Sequence, residues 1–291
     1  GCMTLRPTQD FTCPGFYDTV QSGTISHLVA DIQRDANAYD PLPPPPPITS
    51  EGVIQHDPLS ESILGLMEKR RSTNDLPSIL ETRPRDILLL SGGGQWGAYG
   101  AGLFEALASE NDEHLALPNI GVITGISTGS LQTLLLMVAL DKTQERETRE
   151  LAIRRLVEGY SPARESDVVH NSGIGWGVAF QGSQAGTDAL RRRIGNALCP
   201  EGGDCRLVDA IRKSTIDGYI GFVAADTGGF RYVQVNELAN KVTDDRQAVE
   251  CLTAAAMASS AMPVFHQQLR VSDAGKTHTL YDGGVRRSVF L

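Results

Sequence analysis

No stretch of this sequence is apolar for long enough to cross a bilayer as a helix, which takes about 20 consecutive apolar residues. The longest run, residues 131–140, has the length of a buried core helix. Positive charge is in deficit: 26 Lys and Arg stand against 35 Asp and Glu, giving a net charge of -9. That removes the electrostatic footprint of a nucleic-acid binder and removes charge as a means of holding an anionic membrane. Contact with lipid through apolar side chains stays open. Cysteine is sparse, and Cys2, Cys13, Cys199, Cys205 and Cys251 show no C-x-x-C spacing, so no zinc site is expected. Histidine is scarce as well: there are 6, and none follows Asp282.

What is present is ordinary for a globular chain, with 41% hydrophobic and 21% charged residues. The 291 residues suffice for one large domain or two small ones. The organising stretch is Gly125-Ile126-Ser127-Thr128-Gly129. A β-branched apolar run leads into it and an apolar helical run leads out. A serine with glycine at both second neighbours, between strand and helix, has the pattern of a nucleophile elbow. The turn is sharp, so side chains at 125 and 129 would collide. It lifts the serine hydroxyl above the sheet edge and points a helix N-terminus at it, which favours negative charge there.

Upstream, the apolar strand Ile87-Leu88-Leu89-Leu90 runs into Gly92-Gly93-Gly94-Gln95-Trp96-Gly97 and then a helix. Glycines there let a ligand approach backbone N–H groups closely. Strand, glycine loop, helix, strand, elbow, helix predicts an α/β arrangement with a largely parallel central sheet. Residues 219–225 and 230–235, and 269–271 and 278–281, read as two hairpins. Helices are expected at 24–37, 59–71, 144–159, from 187 and over 246–259. Arg191, Arg192 and Arg193 read as a solvated helix face. Residues 160–186 read as a loop whose Trp176 and Phe180 suit either an apolar substrate or local packing.

The N-terminal part has a different character. Residues 1–50 read as a tail ending in the proline run 43–47, a stiff polyproline II spacer. Residues 51–83 read as a helical lead-in, and 84–291 as the folded domain. Gly1-Cys2 has the form left when a bacterial lipoprotein signal is removed and the cysteine acylated, which implies a cell-envelope protein; a secreted protein fits the same composition. Cys199 and Cys205 bracket a turn-rich loop, where either a disulfide in an oxidising compartment or an inert free pair fits. Cys251, in an Ala-rich helix, reads as a small core residue.

A nucleophilic serine needs a proton acceptor and an oxyanion site. Backbone N–H groups of Gly93 and Gly94, with that of Thr128, are the oxyanion candidates. In the α/β-hydrolase order the acceptor is a histidine after the acid; here only Ser127, Asp226 and His266 or His278 could form such a triad. Asp282, in Tyr281-Asp282-Gly283-Gly284 at a strand end, is the other candidate. Its carboxylate would take the Ser127 proton directly, provided partial desolvation raises its pKa. A plain Asp-Gly turn fits the same residues.

The glycine loop, the Gly-x-Ser-x-Gly elbow, Ala258-Ser259-Ser260-Ala261-Met262-Pro263 and Asp282-Gly283-Gly284, in this order, resemble the patatin-like phospholipases, bacterial type. The resemblance runs from Asp86 to the C-terminus. It implies a three-layer α/β/α fold and a Ser-Asp dyad, with Ser127 as nucleophile and Asp282 as base. Gly92, Gly93, Gly94 and Gly97 would form the oxyanion loop, and Gly125 and Gly129 the elbow glycines. It further implies hydrolysis of lipid carboxyl esters, of phospholipase A or lysophospholipase type, with no metal or cofactor. The partners implied are a lipid or ester substrate and a membrane surface, with no nucleic acid. Many family members carry a basic residue where Trp96 stands and continue past the position of Leu291. Two other readings remain: a dinucleotide site on Gly92-x-Gly94-x-x-Gly97 with Asp112 or Glu113 as the acid, and an inactive patatin-like interaction protein.

Overall fold

The computed structural model describes residues 8–22, 86–109, 119–162, 165–168 and 185–290, with 170–171 and parts of 58–65. Cys2, the proline run, the expected helix at 24–37, Asp112, Glu113, Trp176 and Phe180 lie outside the described residues. In chain order the elements are β1 (Thr8–Thr12), α1 (Phe16–Thr19), β2 (Val20–Ser22), β3 (Asp86–Leu90), α2 (Gly97–Ser109), β4 (Ile120–Ile126), α3 (Thr128–Ala139) and α4 (Arg146–Gly159). There follow the short β5 (His170–Asn171) and β6 (Ala185–Gly186), then α5 (Asp188–Leu198), α6 (Arg206–Lys213), β7 (Asp217–Ala224), β8 (Phe230–Gln234), α7 (Val235–Asn240), α8 (Asp245–Ser260), β9 (Gln268–Asp273) and β10 (Lys276–Asp282).

The α/β class stands, with an 8-stranded sheet in the order β1-β9-β10-β7-β4-β3, and with β8 on β7 and β2 on β8. The sheet is mixed, not largely parallel as the strand-helix alternation suggests. Its parallel pairs are β3 with β4, β4 with β7, and β1 with β9. The β7–β8 and β9–β10 hairpins supply antiparallel pairs, as a tight turn between neighbouring strands must. β4 is buried along its whole length, the expected state of a strand covered on both faces. One face packs against α3, α8 and the surrounding helices, with Ile123, Leu134, Leu136, Leu156 and Leu252 in the core. The other holds Val122, Ile126, Tyr219 and Tyr232 with Leu59 and Phe290. Leu59 sits in a helical stretch within the expected lead-in helix, anchored where the Tyr219 hydroxyl donates to the Pro58 carbonyl at 2.9 Å.

The expected N-terminal tail divides. Thr8–Thr12 is a sheet strand, parallel to β9, and β2 pairs with β8. Phe11 and Cys13 are fully buried and Gln9 nearly so, the period-2 pattern of a half-buried strand. Cys13 forms a disulfide with Cys251 across 238 residues. Cys251 is therefore a cross-link as well as a core residue, tying the N-terminal strand to α8. Cys199 and Cys205 are also joined. The arginine face is anchored, not merely solvated. Arg191 pairs with Glu250 and lies 4.0 Å over the Phe11 ring, while Arg193 donates to the carbonyls of Glu158 and Gly159.

The register explains what the sheet positions. β4 runs parallel to β7 and ends with Ile126 opposite Gly221. β10 runs antiparallel to β7 and ends with Asp282 opposite Phe222. β8 occupies the other edge of β7, Tyr232 opposite Gly221 and Arg231 opposite Phe222. So β4 and β10 approach end to end along one edge of β7, and the residues at their tips, Ser127 and Asp282, are brought together.

Candidate active site

Ser127 has φ 53 and ψ -121, a region that non-glycine residues rarely enter and that costs about 1–3 kcal/mol. Neighbouring polar groups hold it there. Its carbonyl accepts from the Ser130 hydroxyl at 2.6 Å and the Ser130 N–H at 2.9 Å. Its N–H donates to Ser259 Oγ at 2.8 Å, and Ser259 Oγ donates to the Gly221 carbonyl at 2.6 Å. The elbow is thus pinned to β7 through a serine of α8. The flanking glycines are required by space. A Cβ on Gly125 would lie 2.4 Å from the Gly129 carbonyl oxygen, and one on Gly129 would lie 2.4 Å from that of Leu90.

Asp282 is 3% exposed. Its carboxylate accepts from the Gly284 N–H at 2.7 Å, and the Ser127 hydroxyl lies beside it. Burial pushes its pKa above the ordinary 3.8; the Gly284 N–H, the Ser127 hydroxyl and the charge of His266 oppose that rise. The glycine after it is needed because the chain crosses β7: a Cβ on Gly283 would meet the Gly221 carbonyl oxygen at 2.5 Å. The histidine triad does not assemble. Asp226 sits in the β7–β8 turn, accepting from the Thr227 N–H at 2.9 Å, and the His278 ring lies 4.0 Å from that of Tyr17. His266 lines the same cavity as Asp282, its Nδ1 2.8 Å from the Ser260 carbonyl.

The glycine loop separates into two roles. Gly92, Gly93 and Gly94 line the cavity with Ser127, and a Cβ on Gly92 would stand 3.2 Å from that of Ser127. Gly97 does not serve as an oxyanion donor: its N–H returns to the carbonyls of Gly94 and Gln95. Its lack of a side chain makes room for Thr128 Oγ1 and Tyr160 Cε1, which a Cβ would meet at 2.3 and 2.4 Å. Thr128 opens α3, so its N–H is among the first-turn donors that a helix leaves without an internal acceptor.

A brace that sequence reasoning missed holds this loop to the elbow. The Tyr160 hydroxyl lies 2.7 Å from Thr128 Oγ1 and donates to the Thr128 carbonyl at 2.6 Å; burial pushes its pKa up to about 12. Gln132 Nε2 donates to the Gly97 carbonyl at 2.7 Å. Tyr160 closes α4 at its C-cap, a position that no motif marks. Ser259 belongs to the Ala258–Pro263 motif, yet its contact with the Ser127 N–H is a long-range one that spacing does not reveal.

Above these groups opens a cavity of about 1000 Å³. Its walls come from α3, α4 and α5 and include Leu131, Leu135, Leu156 and Ile194, with Arg155 and Arg193 as the cationic side chains. Among the described residues no group of three or more His, Cys, Asp or Glu is placed to hold a metal ion, and no helix is long and apolar enough to cross a membrane.

A comparison with curated proteins finds no match. Among solved structures, VipD from Legionella pneumophila matches with a TM-score of 0.41 and 13% sequence identity, over 71% of this chain and 47% of that chain. This chain thus spans about half the length of that protein. The family model described as Patatin-like phospholipase matches residues 88–291, the stretch that holds both the elbow and Asp282. The chain belongs to the patatin-like phospholipase family.

Proposed function

We propose that the protein is a serine acyl hydrolase that cleaves lipid carboxyl esters, of phospholipase A or lysophospholipase type, through a Ser127–Asp282 dyad. The observation that carries this is the buried Asp282 carboxylate beside the Ser127 hydroxyl, both lining one largely apolar cavity. Family membership supports lipid hydrolysis in general. In the proposed reaction Asp282 takes the Ser127 proton as Oγ bonds to the ester carbonyl carbon. The oxyanion is held by N–H groups of the Gly92–Gly94 loop and of Thr128. Collapse breaks the ester C–O bond, and the alcohol leaves with the proton from Asp282. Water then gives a proton to Asp282 and attacks the acyl carbon; the fatty acid departs and the proton returns to Ser127.

The apolar walls suit an acyl chain. Arg155 and Arg193 in the same walls favour a phosphate-bearing lipid over a neutral ester and answer the absence of a basic residue at Trp96. Two disulfides support an oxidising, extracytoplasmic setting. The test is release of fatty acid from phosphatidylcholine and of p-nitrophenol from p-nitrophenyl butyrate. Wild type is expected to turn over both, the phospholipid faster, and Ser127→Ala neither. A Ser127→Ala protein as active as wild type ends the reading.

Two kinetic predictions arise here. Because Asp282 acts ionised and burial raises its pKa, kcat/KM falls as pH drops, with unit slope and a midpoint above 3.8. A pH–rate profile flat down to pH 4 would contradict the assignment of Asp282 as base. Tyr160→Phe leaves the Thr128 carbonyl without its hydroxyl donor, a loss of about 1 kcal/mol in positioning. It should lower kcat about fivefold with KM within about twofold. A change confined to KM would instead place Tyr160 in substrate binding.

A further inference from the structure

Exposed apolar side chains stand on segments that line the cavity. At the end of the glycine loop Trp96 is 75% exposed, and on the helix α2 that follows Tyr99 is 79% and Leu103 47% exposed. Tyr99 and Leu103 fall at i and i+4, one face of a helix, while the opposite face buries Ala101 and Phe104. The loop after α8 exposes Met262, Val264 and Phe265. That loop is closed by the His266 N–H donating to the Met262 carbonyl at 3.0 Å, and Val264 at its tip has φ 74, a strained value for a β-branched residue. After Asp282, Val285 is 55% exposed. Met262 and Val285 line the cavity themselves, and Trp96 directly follows Gln95, which also lines it.

We propose that this rim docks on the surface of a phospholipid bilayer, with the cavity mouth facing the lipid. The inference rests on the lipid-hydrolase reading and adds the surface through which substrate arrives. Three features select a bilayer over a protein. Met262 and Val285 are both exposed and line the cavity that holds Ser127, so a protein seated on them would obstruct the substrate's entrance, whereas a bilayer supplies substrate through it. Its composition, Trp and Tyr beside Phe, Met, Leu and Val, is that of side chains that settle between acyl chains and headgroups. Its formal charge is cationic where it has any: residues 261–266 contain no Asp, Glu, Lys or Arg, and Val285 is followed by Arg286 and Arg287. Exposed apolar groups of this kind favour an interfacial position over water.

Docking is measured without turnover, in the Ser127→Ala protein, by co-sedimentation with phosphatidylcholine vesicles. Binding is expected, with little dependence on salt because apolar contact dominates. In a Trp176→Phe background Trp96 is the one remaining tryptophan, and its emission should shift to shorter wavelength as vesicles are added. Tyr99→Ser with Phe265→Ser should lower vesicle partitioning at least tenfold. In otherwise wild-type protein the same two changes should leave hydrolysis of monomeric p-nitrophenyl butyrate within twofold. No binding to vesicles, or binding unchanged in the double variant, overturns the docking surface while leaving the hydrolase reading intact. Vesicle binding as expected with no hydrolysis of any ester by wild type would overturn the hydrolase reading instead, and this entrance argument with it.

Discussion

Asp282→Asn is expected to lose about 10³-fold or more in kcat/KM, roughly 4 kcal/mol of transition-state stabilisation. The substitution keeps the shape, and the amide oxygen can still accept from the Gly284 N–H that now meets the carboxylate at 2.7 Å. What it removes is the group that takes the Ser127 proton. The same variant should be at least as stable as wild type at neutral pH. Burial raises the Asp282 pKa above that of an exposed aspartate, so its contribution to stability is full below the unfolded value near 3.8 and is lost as pH rises through the raised folded value. At pH 7 the ionised, desolvated carboxylate is therefore a cost, and an amide relieves it. Thermal melting together with steady-state kinetics checks both halves. A melting temperature several degrees lower would trace the lost activity to misfolding, and retained activity would remove Asp282 from the chemistry.

Breaking the Cys13–Cys251 disulfide should produce the largest loss of stability. It closes a loop across 238 residues, for which the chain-entropy account gives about 5 kcal/mol. Cys199–Cys205, separated by 6, should contribute about 2 kcal/mol on the same account. The long bridge also holds β1 against the helix that carries Ser259, the residue that accepts the Ser127 N–H. Cys13→Ala with Cys251→Ala is expected to lower Tm by about 10 °C, while the corresponding change at 199 and 205 lowers it by less than half as much. Calorimetry on the two double variants decides. Equal shifts would contradict the loop-length argument, and an unchanged Tm for the first pair would mean that β1 is held by its strand pairing alone.

The elements around the elbow were legible because their signals are local. β-branched residues lead into Gly125, an apolar helix leaves Gly129, and both glycines are demanded by contacts within the turn and with the adjacent strand. Both hairpins could be read from turn residues between apolar runs. Three things were not legible. β1 is short and mostly polar, and its claim to the sheet rests on Phe11, Cys13 and a parallel partner far along the chain. α6 and α7 are brief, and tertiary packing stabilises such helices more than propensity does. In the site, Tyr160, Gln132 and Ser259 act through contacts between elements distant in sequence, so no motif announces them. Gly97 shows the opposite failure: its place in the glycine pattern suggested a backbone donor, whereas its N–H is engaged and its absent side chain admits Tyr160. The residues offered Asp282 as one acceptor among others and the family resemblance singled it out; the cause of its meeting with Ser127, that β4 and β10 share one edge of β7, lies in elements far apart in sequence.

The most direct test of the dyad is to trap the intermediate. Wild-type protein mixed with a phosphatidylcholine of known acyl chains, acid-quenched within one turnover and analysed by peptide mass spectrometry, should carry one acyl group on Ser127. The adduct should be absent from Ser127→Ala and reduced in Asp282→Asn, which lacks the base for the attack. An acyl group on another residue, or fatty acid released with Ser127 unmodified at every quench time, would contradict the account.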